Sequence, residues 1–125
     1  MTGTKKVLII DDEEDFCFFV RENLMSTGMF DVFVATNGRY GIKLARQENP
    51  DIILLDLMMP DLTGEEVADE LKDHAGTAEI PIIFVTALAT QTDTGEGGLK
   101  KTGSAYFISK PIRTRQLVNA ISEVV

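Results

Sequence analysis

Five short apolar runs in this chain are continuous or nearly so, and that pattern constrains its fold more than any other feature. They are Val7–Ile10, Phe30–Ala35, Ile52–Leu55, Ile82–Thr86 and Ala105–Ile108. Each has the length of a strand and is too short for a helix. A strand with one wet face alternates polar and apolar residues. An unbroken run therefore marks a strand buried on both faces, as in a parallel sheet covered by helices.

The segments between the runs have helical period. Glu14–Thr27 places Phe16, Val20, Leu24 and Thr27 on one face, and Gly38–Glu48 carries Ile42, Leu44 and Ala45 before Pro50 stops it. Gly64–His74 carries Val67, Ala68 and Leu71, and Arg113–Val125 carries Leu117, Ala120, Ile121 and Val124. The βαβαβαβαβα alternation predicts right-handed crossovers and a three-layer α/β fold. One crossover is weak. Thr90–Thr102 holds Gly95, Gly97 and Gly98, which together oppose a helix by ~2–3 kcal/mol. A short or frayed helix is predicted there.

A chain of 125 residues fits one domain spanning 1–125. Its net charge of −8, with basic residues scattered as short pairs such as Lys5-Lys6 and Lys100-Lys101, offers no basic stripe for nucleic acid. The run after Lys6 stops at Asp11, too soon for a signal peptide or a membrane span. A single cysteine, Cys17, precludes an internal disulfide and fits a reducing cytoplasm. It lies among Phe16, Phe18 and Phe19 in a helical segment, where packing is its expected role.

In an open parallel sheet the carboxyl ends of the strands line one crevice. Here those ends carry Asp11 and Asp12, Asp56, Thr86 and Lys110. Two adjacent carboxylates repel unless a cation neutralises them, and Mg²⁺ accepts one or two carboxylates plus phosphate oxygens. Asp12 through Asp15 also suit a helix N-terminus, which favours acidic residues; Asp11, still on its strand, is less easily read that way. Asp56 is followed by Pro60 and Gly64, marks of an extended loop that leaves the carboxylate open. Such a carboxylate can act as a nucleophile and form an acyl phosphate. Lys110 precedes Pro111, and a cis bond there would turn the lysine back into the crevice.

These residues carry a family resemblance. The acidic pair Asp11-Asp12, the LLDLMMP segment with Asp56, Thr86-Ala87 and Lys110-Pro111 stand in the order of the response-regulator receiver domains of two-component signalling, which the chain resembles over essentially its whole length. The resemblance implies a flavodoxin-like doubly wound sheet of five parallel strands in the order 2-1-3-4-5. It implies that Asp56 is the phosphoacceptor, and that Asp11, Asp12, Asp56 and the Met58 carbonyl hold Mg²⁺. Thr86 and Lys110 would bind phosphoryl oxygens, and Phe107 falls at the aromatic switch position. The implied partners are a histidine kinase or histidine phosphotransfer protein, a downstream effector, and a second copy on phosphorylation. Two features depart from the family. The Thr86-to-Lys110 segment is about two residues longer than in well-known receivers, and Thr63 stands where many have Asp or Asn.

Other functions fit less well. GEGGLKKT, residues 95 to 102, nearly spells a phosphate-binding loop, but Lys100 replaces a required glycine. An FMN binder of the same fold would place an anionic phosphate against DDEED. An aspartate-nucleophile, Mg²⁺-dependent phosphatase is the alternative reading, yet its second Asp would stand where Met58 is. His74, the only histidine, is expected to be exposed near a helix end. Phe18 and Met25 are expected on the outer face of the first helix, either as single solvated apolar side chains or as a contact surface for a kinase or a second copy.

Overall fold

The computed structural model of the protein describes residues 4–87, 99–102 and 105–125. Among these the chain runs β1 (Lys5–Ile10), α1 (Glu14–Met25), β2 (Phe30–Ala35), α2 (Gly38–Glu48), β3 (Ile52–Asp56), α3 (Gly64–Lys72), β4 (Ile82–Thr86), β5 (Lys100–Thr102), β6 (Ala105–Ser109) and α4 (Thr114–Val124). The sheet order is β2-β1-β3-β4-β6-β5. Its five long strands are parallel, with Val7 beside Val32 and Ile52, Ile53 beside Ile82, and Val85 beside Ile108. They stand in the expected order 2-1-3-4-5, with β6 in fifth place.

The continuous runs are explained by two cores, one on each face of the sheet. Val7, Ile9, Ile52, Leu54, Ile83, Val85 and Ile108 point toward Cys17, Val20 and Leu24 of α1 and Leu117, Ala120 and Ile121 of α4. Their neighbours Leu8, Ile10, Ile53, Leu55 and Ile82 point toward Ile42, Leu44 and Ala45 of α2 and Val67, Ala68 and Leu71 of α3. Truncating any of the large ones to Ala would cost ~2–5 kcal/mol. That rigidity fixes where each strand ends, and so where the site residues stand.

The expected helix over Thr90–Thr102 falls mostly outside the described residues. Its last three residues are corrected here. Lys100–Thr102 form β5, antiparallel to β6, with Lys100 opposite Phe107 and Thr102 opposite Ala105. Without β5 the outer edge of β6 would leave a row of backbone groups unpaired. Two helices end earlier than their hydrophobic period. In α1, Ser26 and Thr27 hydroxyls donate to the Asn23 and Leu24 carbonyls, and Gly28 follows at φ +77° in the left-handed region. In α3, the buried Thr77 hydroxyl donates to the Leu71 carbonyl at 2.6 Å and takes the place of a further turn.

Candidate functional site

The carboxyl ends of the parallel strands open onto a cleft of about 270 Å³, walled by Asp12, Glu13, Asp56, Met58, Thr86 and Lys110. Asp11 and Asp56 are buried, while Asp12 is exposed. One carboxylate oxygen from each of the three lies within 4.8 Å of the others. The Glu13 amide donates to Asp11 Oδ1 at 2.9 Å. Asp11 Oδ2 has the Lys110 ammonium 2.8 Å away but receives no hydrogen bond of good geometry. Attraction without a directed bond leaves that buried oxygen able to take another cation.

Asp56 is poorly served. Its one backbone donor among the described residues, the Met58 amide, is 3.5 Å from Oδ1, at the limit of a hydrogen bond. Burial and, next, the charge of Asp11 push its carboxyl from the ordinary 3.8 up to about 6, against the pull of Lys110 and the Met58 amide. The cleft therefore gathers more negative charge than its own donors satisfy. Three clustered carboxylate oxygens with a cationic deficit suit a hard divalent ion such as Mg²⁺.

Lys110 carries the positive charge of the cleft. Burial works against that charge, but the pairing of its ammonium with the carboxylates of Asp11 and Glu13 outweighs the cost and raises its pKa. The ammonium lies 2.5 Å from Glu13 Oε1 and 4.5 Å from the centre of the Phe16 ring. The Lys110–Pro111 bond is cis, and the Lys110 amide donates to the Thr86 carbonyl at 2.9 Å. Thr86 is buried at the end of β4. The five strand-end side chains thus converge as the sequence indicates. Met58 stands at the mouth with its side chain 63 % exposed. Phe107 is half-buried and stacks on Phe84, ring centres 5.3 Å apart.

Glu13, Phe16 and Asp61 shape the site without being legible as such in the sequence, and Gly64 does more than mark the loop read there. Glu13 and Phe16 hold Lys110. Gly64 opens α3 against the backbone of the Asp56 loop, where a Cβ would collide with the Asp56 carbonyl oxygen and Leu57 Cα. Asp61 ties the same loop to α2, accepting from the Gly38 and Arg39 amides at 2.9 and 3.0 Å. Those bonds, the Gly38 amide foremost, hold its carboxyl below the usual range. Thr63, the departure noted in the sequence, caps α3 in a reciprocal pair with Glu66.

Cys17 packs in the core as expected. Burial, then the charge of Asp11, push its thiol up to about 12, so it is protonated and unreactive at neutral pH. His74 is exposed, its Nδ1 accepting from the Gly76 amide. Phe18 is exposed, as are Phe19 and Met25 beside it on α1.

Residues 7–122 match the response regulator receiver domain. The chain belongs to the response regulator receiver family. It is 35% identical over 119 residues to protein PilH of Pseudomonas aeruginosa, covering 95% of this chain and 96% of that one. It is 34% identical over 118 residues to the polar-differentiation response regulator DivK of Brucella ovis, covering 94% of each. The chemotaxis protein CheY4 of Vibrio cholerae superposes with a TM-score of 0.83 at 26% identity, over 98% of this receiver and all of that chain. The receiver is thus a signalling domain of two-component systems, a family whose members interact with kinases and effectors. No helix among the described residues is long and apolar enough to cross a membrane.

Proposed function

We propose that this receiver accepts a phosphoryl group on Asp56 from the phosphohistidine of a histidine kinase or histidine phosphotransfer protein. The observation that carries the reading is the cluster of Asp11, Asp12 and Asp56 oxygens within 4.8 Å, with Lys110 beside it in the same cleft. An Asp56 oxygen attacks phosphorus, the P–N bond breaks, and the imidazole leaves with the bonding pair. Asp11, Asp12 and Asp56, with the Met58 carbonyl, would hold Mg²⁺, which supplies positive charge against the phosphoryl oxygens. The Lys110 ammonium and the Thr86 hydroxyl, in the same cleft as Asp56, donate to those oxygens. The rigid β-strand ends keep the carboxylates and Thr86 in place before the donor arrives.

The domain works as a switch, not as a turnover enzyme. Phe107 is its aromatic reporter, because β6 carries it next to β4, the strand that ends in Thr86. Its place is the cytoplasm, as one domain over 1–125, read out by an effector protein or a second copy. The alternative of an aspartate-nucleophile phosphatase lacks its acid/base, since position 58 is a methionine with an exposed side chain.

Incubation with a small acyl phosphate tests the reading by intact mass. One phosphoryl adduct is expected on the wild type with Mg²⁺, and none in EDTA or on Asp56→Ala. An undiminished adduct in EDTA, or on the variant, would contradict it.

A further inference from the structure

In the resting receiver the Lys110 ammonium does not form an ion pair with Asp56. The ammonium lies against two carboxylates from the β1–α1 junction: it donates to Glu13 Oε1 at 2.5 Å and stands 2.8 Å from Asp11 Oδ2 as an ion pair. The Phe16 ring centre lies 4.5 Å away. A phosphoryl group on Asp56 would compete with these two carboxylates for the ammonium.

The two carboxylates are not equal. Asp11 is 1% exposed and fixed by the Glu13 amide, so losing its cation would strand a buried charge. The Glu13 side chain is 61% exposed, and water rehydrates it as soon as the lysine leaves. Among the described residues the Glu13 side chain makes no other hydrogen bond or ion pair. It is the residue before α1, yet its side chain makes no capping bond. Its reach across 97 residues of sequence to Lys110 is therefore its one directed contact among the described residues.

Building on the phosphoacceptor reading, we infer that Glu13 is a positioning residue that parks Lys110 away from Asp56 and yields it when a phosphoryl group arrives. Glu13 thereby sets how readily the cleft takes up a phosphoryl group. It competes for the ammonium in the free state and drops out of the phosphorylated one. A carboxylate at this position makes the resting state more favourable, and a neutral side chain releases the lysine in advance.

Beryllofluoride, a phosphoryl mimic, tests this in the intact protein at saturating Mg²⁺. Glu13→Gln is compared with Glu14→Gln, which removes the same charge one residue away and touches no lysine. Glu13→Gln is expected to bind beryllofluoride about two- to five-fold more tightly than wild type, the range an exposed ion pair supports. Glu14→Gln is expected to stay near wild type. The Lys110 ammonium NMR signal of the free protein should shift in the first variant and not in the second. Unchanged or weaker binding by Glu13→Gln, or an equal gain in both variants, would overturn the parking role and leave the phosphoacceptor reading standing. Failure of the wild type itself to bind beryllofluoride with Mg²⁺ would overturn both.

Discussion

Asp56 is strained electrostatically in the metal-free receiver, and that strain has a pH signature. Its carboxyl is pushed up from 3.8 to about 6, so the folded state holds its proton more tightly than the unfolded chain does. The stability contributed by that proton is complete below ~pH 4, is lost as pH rises through ~6, and is absent at neutrality. Asp56→Asn removes the ionisation while keeping the shape. In metal-free buffer at pH 7 it should be more stable than wild type by about 2 kcal/mol, with the gap closing toward pH 4. Denaturant unfolding of both proteins across that range measures it; a gap that does not vary with pH would exclude the electrostatic origin. Added Mg²⁺ should stabilise the wild type more than the variant. At this scale the sequence was legible where chemistry coincides with strand ends: Asp11, Asp12, Asp56, Thr86 and Lys110 are all in the cleft. Glu13 was hidden because one acid in an acidic run before a helix reads as a generic dipole partner. Only the fold reveals that it faces a lysine from the far end of the chain.

The loop after β3 shows how elements hold a residue in place. Asp61 satisfies the first two amides of α2, Asn37 accepts from the third at Tyr40, and Thr63 caps α3. The loop is thus pinned at both helices, and Gly64 lets α3 begin hard against the Asp56 backbone, its amide donating to the Leu57 carbonyl. Gly64→Ala puts a Cβ into that backbone rather than into a flexible side chain. It should cost about 1–3 kcal/mol and also reduce phosphoryl uptake, because relieving the clash moves the start of α3 and the Asp56 loop apart. Thermal unfolding and adduct formation on the same sample check both effects; normal values of both would show the loop to be more yielding than its packing indicates. Helix α2 matches its expected span because Asn49, in the left-handed conformation, and Pro50 end it locally. The ends of α1 and α3 were less legible, since hydroxyl groups of Ser26, Thr27 and Thr77 take over carbonyls in ways that hydrophobic period does not encode. Strand β5 was not legible either. Lys-Lys-Thr has no apolar signal, and its place comes from the open edge of β6.

At the scale of the molecule, one sheet separates two cores and leaves its chemistry on a single rim, with Phe18 and Phe19 of α1 exposed at 65% and 51%. On the proposed function a phosphodonor protein would approach that rim, and exposed aromatic side chains on α1 suit a contact surface. Phe18→Ser should slow phosphotransfer from a partner kinase while leaving labelling by a small acyl phosphate unchanged. Equal kinase rates in variant and wild type would mark Phe18 as merely solvated. The order of the five parallel strands came from family resemblance, while the layers and the site rim came from the runs themselves, and all are present in the fold. The central claim is that the phosphoryl group resides on Asp56, and borohydride trapping reads it most directly. An acyl phosphate is reduced at its carbonyl, so peptide mass spectrometry locates the modified residue. After treatment with an acyl phosphate and Mg²⁺, reduction is expected at position 56 alone. Reduction at Asp11, Asp12 or Glu13, or at no carboxylate in a protein that carries the adduct, would contradict the account.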